Sequence, residues 1–184
     1  MDLSTLQKDP RGDDAIKTVS ARVSAALSGP NSLGRARRHT ANNRIAWAEE
    51  VGLTDLGTTD GSCAMILGVP KEAPHVLVKV VPLDDAFVEW AEELMAEPHG
   101  SCPHIYSVTH VRDKAVIIQQ RIDGEGLDIS TPLPSPPASL QTRINLFCSR
   151  TGAYDDHHRG NVLVDRAGKH WFIDPVFNQD MAGG

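Results

Sequence analysis

An α+β domain is the fold class that this 184-residue sequence predicts. Two observations lead there. Short segments rich in β-branched residues surround one amphipathic helix, in the order strand, strand, helix, strand pair, and do not alternate as repeated βαβ units. The composition, 40% hydrophobic and 23% charged, suits one soluble globular domain whose core needs neither disulfides nor a structural metal.

The elements follow in chain order. Residues 1 to about 12 are polar and marked by Pro10 and Gly12, so a loose terminus is expected. Ile16, Val19, Val23, Ala26 and Leu27 recur at helical spacing until Gly29-Pro30 stops them. A second helix is expected from near Thr40 through Ile45, Trp47 and Ala48 to Gly52; neither helix carries chemistry, and both read as a scaffold or cap. From Leu53 onward Gly57, Gly61 and Gly68 punctuate short segments, and His75-Val-Leu-Val-Lys-Val-Val81 reads as a strand. The stretch Asp84 to Ala96 puts Phe87, Trp90, Ala91 and Leu94 on one helical stripe. Two strands are expected at Ile105–Val111 and Ala115–Ile122, joined by the turn Arg112-Asp113-Lys114.

Residues 131–138 hold four prolines and can be neither helix nor inner strand. Ser139 is placed to cap a helix carrying Leu140, Ile144 and Phe147, with Arg150 in its last turn and Gly152 beyond its end. The remainder reads as a β-hairpin, Asn161–Asp165 and His170–Asp174, around a turn containing Gly168.

Composition also narrows the partners. A formal net charge of −6 gives no general attraction to nucleic acid, and the basic run Arg35, Arg37, Arg38, Arg44 is too short to define a nucleic-acid site. Cys63, Cys102 and Cys148 are odd in number and far apart, which argues against a disulfide framework, and Cys102 with His104 lacks further ligands for a metal. No leader and no membrane-length apolar run is visible, so a cytoplasmic protein with no membrane partner is expected.

The densest polar cluster is Asp155-Asp156-His157-His158-Arg159-Gly160-Asn161, directly before the hairpin. The hairpin returns the chain, so Asp174 is expected beside Asn161. A carboxylate and an amide oxygen there are hard ligands suited to Mg²⁺. Asp156, five residues earlier, is then placed to meet an incoming hydroxyl. Phosphoryl transfer needs that arrangement: a metal on the phosphate oxygens and one carboxylate orienting the nucleophile.

The run Asp156-His157-His158-Arg159-Gly160-Asn161 followed by Phe172-Ile173-Asp174-Pro175 resembles the D-x-H-x-G-N … I-D signature of aminoglycoside-phosphotransferase-like and other atypical kinases. It is similar above all to the early protein kinases of T-odd coliphages and related podophages. Those share Asp-Pro-Val at the metal-binding aspartate, here Asp174-Pro175-Val176, and an aromatic residue just before the catalytic loop, here Tyr154. The match covers residues 154–178 and is looser upstream. What the resemblance implies is a minimal two-lobe kinase-like fold: a helical extension at 1–52, an N-lobe of antiparallel sheet and one helix at 53–122, and a reduced C-lobe at 123–184. With ten residues after Asp174, no activation segment or large substrate lobe is expected.

The resemblance also implies roles. Asp156 is the catalytic base, Asn161 and Asp174 ligate Mg²⁺, and Lys79, after Val78 in an apolar strand, holds the ATP phosphates. A lysine there needs a carboxylate, for which Glu89 is preferred over Glu93 on the following helix. Gly57, Gly61 and Ser62 resemble a degenerate phosphate-covering loop, with Thr59 where a second glycine is expected, and Ile117–Arg121 would be the adenine-binding hinge. The implied activity is serine/threonine phosphorylation of host proteins; the alternative is a kinase-like protein that inhibits a host target by occupying it. Small-molecule phosphotransfer is disfavoured by the short C-lobe. Asp-His-His also opens a manganese phosphoesterase motif and suggests an HNH nuclease, but the further ligands both require are not found. His157 and His158 read as loop-structuring, and Asp155 as solvated.

Overall fold

The computed structural model describes residues 10–29, 41–57 and 64–178. The chain divides into two compact units. One comprises the residues up to Leu83 together with Tyr106–Gln119; the other comprises Asp84–Ile105 and the residues from Gln120 onward. Among the described residues, four α-helices and a five-stranded sheet, with two smaller sheets, make the fold α+β.

In the first unit, helices α1 (Pro10–Ser28) and α2 (Ala41–Glu50) precede strands β1 (Leu53–Asp55), β2 (Ile66–Pro70) and β3 (Val76–Pro82). Strands β4 (Ile105–Val111) and β5 (Lys114–Gln120) complete the sheet, in the order β1-β2-β3-β5-β4. Val19, Val23 and Leu27 of α1 and Trp47 and Ala48 of α2 form one core with Ile66, Val78, Val80, Val116 and Ile118. The reason is the match of two periods. The helices repeat their apolar residues every three or four positions, and the strands present every second residue to them. Lys79 therefore falls on the opposite face from Val78 and Val80, opposite Leu67 of β2, and is only 5% exposed. Ser20 of α1 meets Thr109 of β4 at 3.2 Å, and Arg112, in a left-handed turn with φ 58°, donates to the Ser28 carbonyl. Both contacts fix α1 on the sheet.

The second unit contains α3 (Ala86–Ala96) and α4 (Ala138–Thr151). Asp85 caps α3 by accepting from the Phe87 N–H at 2.8 Å. Trp90 and Phe147 meet edge to face with ring centroids 5.2 Å apart. Arg143 of α4 donates to the Glu93 and Glu97 carbonyls, closing the C-terminal end of α3 that lacks helical partners. Gly152 ends α4 with φ 77°, its N–H on the Cys148 carbonyl.

Ser139 does not cap α4. The cap position is Pro137, whose ψ of 146° is extended, so the helix begins two residues earlier than a Ser139 cap would set, and the Ser139 hydroxyl meets His99 at 3.1 Å.

The polar end of this unit rests on two small sheets. Strands β6 (Gly124–Gly126), β8 (Val162–Asp165) and β9 (His170–Phe172) form one, in the order β6-β8-β9, and β7 (Tyr154–Asp155) pairs with β10 (Val176–Phe177) in the other. Gly124 is required where β6 meets β8, since a Cβ there would lie 2.7 Å from the Val164 carbonyl oxygen. The hairpin stops at Phe172, two residues short of Asp174, because the chain turns to form β10. Asp165 holds its turn: its carboxylate accepts from Ala167 N–H, Lys169 N–H and Trp171 Nε1–H, and these bonds, the indole first, hold it below the usual carboxylate range.

Candidate phosphoryl-transfer site

The loop between β7 and β8 gathers three of the site residues expected from the sequence. Pairing of β7 with β10 sets Asp155 opposite Val176, and the next residue, Asp156, donates its N–H to the Pro175 carbonyl at 2.9 Å. The Ile173 N–H donates to the Asn161 carbonyl at 2.9 Å. These two bonds staple the loop to the segment carrying Asp174.

Asn161 lies at the centre. Its Nδ2 faces the Asp156 Oδ2 at 2.8 Å, the Asp156 carbonyl at 3.0 Å and the Asp174 carbonyl at 2.7 Å. Three acceptors around one position fix the orientation of the amide, since a carbonyl oxygen there would meet only oxygens. Oδ1 is thus the atom that Asn161 can offer a cation. Oδ1, together with a carboxylate such as that of Asp174, whose backbone carbonyl Asn161 already holds, would make a hard, all-oxygen pair. Mg²⁺ fits such a pair, because it is bound by one or two protein oxygens and completes its octahedron with phosphate and water. Among the described residues, no three His, Cys, Asp or Glu side chains are gathered to hold an ion by themselves.

The H-x-G spacing has a physical cause. A short 3-10 turn, Arg159–Asn161, carries Asn161 into place, and His158 caps it: the Gly160 N–H donates to His158 Nδ1 at 3.0 Å. The ring lies so close that a Cβ at residue 160 would be 2.8 Å from His158 Cε1. With Nδ1 accepting, the proton sits on Nε2, which faces Asp156 Oδ1 at 3.5 Å. Both oxygens of Asp156 are therefore oriented, one by Asn161 and one by His158.

The neighbouring residues anchor the loop. Asp155 accepts from the His157 N–H at 3.0 Å and from Gln141 Nε2 at 2.8 Å, while the His157 ring meets the Pro134 carbonyl at 2.8 Å. The Gln141 contact lies fourteen residues from Asp155, and nothing in the local sequence announces it.

Upstream, Lys79 is buried in β3 of the first unit. Glu89, on α3 of the second unit, accepts from Arg150 at 3.2 Å, and Glu93 shares the same guanidinium. Gly57 takes a left-handed φ of 78°, a turn conformation. Gly61 and Ser62 lie outside the described residues. The cysteines Cys102 and Cys148 are free, and burial pushes the Cys102 thiol up to about 12, which makes it unreactive. No helix among the described residues is long and apolar enough to cross a membrane.

Comparison with protein-family models and with curated proteins finds no match to this chain.

Proposed function

We propose that the protein is a Mg²⁺- and ATP-dependent phosphotransferase, acting as a serine/threonine protein kinase on host proteins. One observation carries this reading. The Asn161 amide nitrogen donates to the Asp156 carboxylate and to the Asp174 backbone carbonyl at once, which leaves its own carbonyl oxygen for a metal. The five-stranded sheet with a buried lysine in its third strand supports it further.

In this reading Asn161 Oδ1 and the Asp174 carboxylate would hold Mg²⁺, which would supply neutralisation of the phosphate charge. Asp156 accepts the acceptor hydroxyl's proton as that oxygen bonds to the γ-phosphorus. The bond to the β–γ bridging oxygen breaks, and ADP leaves with the electron pair. Lys79 would hold the α and β phosphates, with Glu89 as its carboxylate partner, and Gly57, Gly61 and Ser62 would cover them.

Thermal denaturation with ATP tests the reading. ATP should raise the melting temperature only with Mg²⁺ present, because ligand binds the folded state alone. Asp174→Asn should abolish that shift while the apo melting temperature stays unchanged. An equal shift in EDTA, or none with Mg²⁺, overturns the reading.

A further inference from the structure

We infer that His157 and Arg159 are positioning residues that hold the transfer loop in register by gripping the proline-rich strap 128–137, an inference that rests on the proposed phosphotransferase reading. From Asp155 to Arg159 the side-chain contacts alternate between two sides. Asp156 and His158 turn inward to each other and to Asn161 and Gly160. Asp155, His157 and Arg159 turn outward, and each ends on the strap or on α4. Arg159 donates through Nη1 to the carbonyls of Asp128, at 2.9 Å, and Thr131. His157 Nε2 donates to the Pro134 carbonyl, with its ring 5.7 Å from that of Phe172. Asp155 accepts from the Gln141 side chain, and the Gln141 backbone N–H bonds the Pro137 carbonyl at 2.9 Å.

The strap is built to be gripped. Pro132, Pro134, Pro136 and Pro137 lack N–H groups, so the segment offers carbonyls and cannot pair as a strand. Its conformation is restricted beforehand: Asp128 Oδ1 accepts from the Ser130 N–H and hydroxyl at 2.8 and 2.7 Å, and Pro137 starts α4. A stiff row of carbonyls meeting two rigid cationic or aromatic donors sets the height of the loop. The Asp156 backbone is stapled at Pro175, so a loosened grip on its neighbours Asp155 and His157 re-aims the Asp156 carboxylate without freeing Asn161 from the segment of Asp174.

The test is steady-state phosphotransfer to a general acceptor protein such as casein by the full chain. His157→Phe and Arg159→Met, which keep ring and stem, should each lower kcat about tenfold or more, as misplacement of a reacting group does. The KM for ATP and the Mg-ATP thermal shift should stay at wild-type values. His157→Gln, which retains a donor, should restore most of the rate. A purely structural role would lower melting temperature and nucleotide affinity together, without that kcat-only loss or its rescue, and would overturn the inference. If a variant fails to fold, the contrast of His157→Gln with wild type decides: a tenfold loss there refutes the donor's role. Wild-type protein that transfers no phosphate refutes the parent reading; active wild type with unaffected variants refutes only this one.

Discussion

The first unit and the transfer loop are held by different forces. In the first unit, helix and strand meet chiefly through apolar side chains, and residues such as Val19, Val78 and Ile118 are wholly buried. Each such side chain contributes about 1.5–3 kcal/mol through removal from water. The loop at 155–161 buries little. Its residues are half-buried or exposed, and it keeps its shape through side-chain bonds to carbonyls and carboxylates. Bonds of that kind contribute about 1 kcal/mol each but are strongly directional. One region therefore supplies stability with wide tolerance of position, and the other supplies position with little stability. Substitutions in the two should separate these properties.

The largest separation is expected between Asp156→Asn and Ile118→Ala. The amide keeps an acceptor for Asn161 but cannot take a proton, so transfer should fall by roughly 10²–10⁴ while melting temperature and Mg-ATP binding hold. Ile118→Ala, in the apolar core, should cost about 2–5 kcal/mol of stability by urea denaturation. Transfer per folded molecule should hardly change. If Asp156→Asn kept full transfer, the carboxylate would not be the base. If the effect on host cells also survived that substitution, the protein would act by occupying its target.

Lys79→Met comes next. The methionine stem fills the site in β3, so the fold should hold, while phosphoryl transfer should drop by a factor of about 10²–10³ if the ammonium stabilises charge on the phosphates. Unchanged transfer in a gel assay with labelled ATP would remove Lys79 from the chemistry and leave it a buried strand residue.

These expectations show which parts of the molecule were legible in the sequence. The ends of β4 were legible because Ile105 and Val111 bound a β-rich run between turn residues. The meeting of Asp156, Asn161 and Asp174 was legible because a hairpin brings them together over fewer than twenty residues. The cap of α4 was misread: Ser139 is a good capping residue, but the extended ψ of Pro137 already starts the helix. The partners of Arg143 and Arg159 were not legible at all, since they join segments distant in sequence through carbonyls that every residue possesses, and the Gln141–Asp155 contact joins α4 to a loop fourteen residues away.

Acid should affect the two regions at different pH. His99 and His104, both in the second unit, lie below the usual imidazole range: burial is the chief cause in each, and for His99 the charges of Arg143 and Lys169 add to it. His99 Nδ1 also accepts the Ser101 N–H, so a proton there would break a bond. The unfolded chain binds these protons more readily than the folded one. Stability from both histidines is present above their unfolded value of about 6.5 and is lost as pH falls through the folded values. In the first unit, burial raises Glu72, but the hydrogen bond and charge of Arg22 outweigh it and hold the carboxyl below its usual range. That contribution is lost only at more acid pH. Hydrogen exchange should therefore show protection in α3 and α4 falling as pH drops below about 6.5 while α1 and the sheet keep theirs. His99→Gln with His104→Gln should flatten the difference; equal losses in both regions would contradict it.

The smallest effect is expected at Arg150, where stability and chemistry separate once more. Its guanidinium bridges Glu89 and Glu93 and lies 5.5 Å from the centre of the Phe147 ring. Arg150 and Glu89 are both more than half exposed, so water screens the attraction and the long side chains lose freedom to make it. Arg150→Ala should leave the melting temperature without measurable change, in low salt and in high. Glu89→Gln should be equally silent in stability. Its effect on transfer is the informative reading. As the proposed partner of Lys79, Glu89 should be needed for phosphate binding, so its amide variant should raise the KM for ATP while Arg150→Ala does not. If both variants instead leave KM and kcat untouched, Glu89 is a surface partner of Arg150 alone, and the carboxylate serving Lys79 must be another residue.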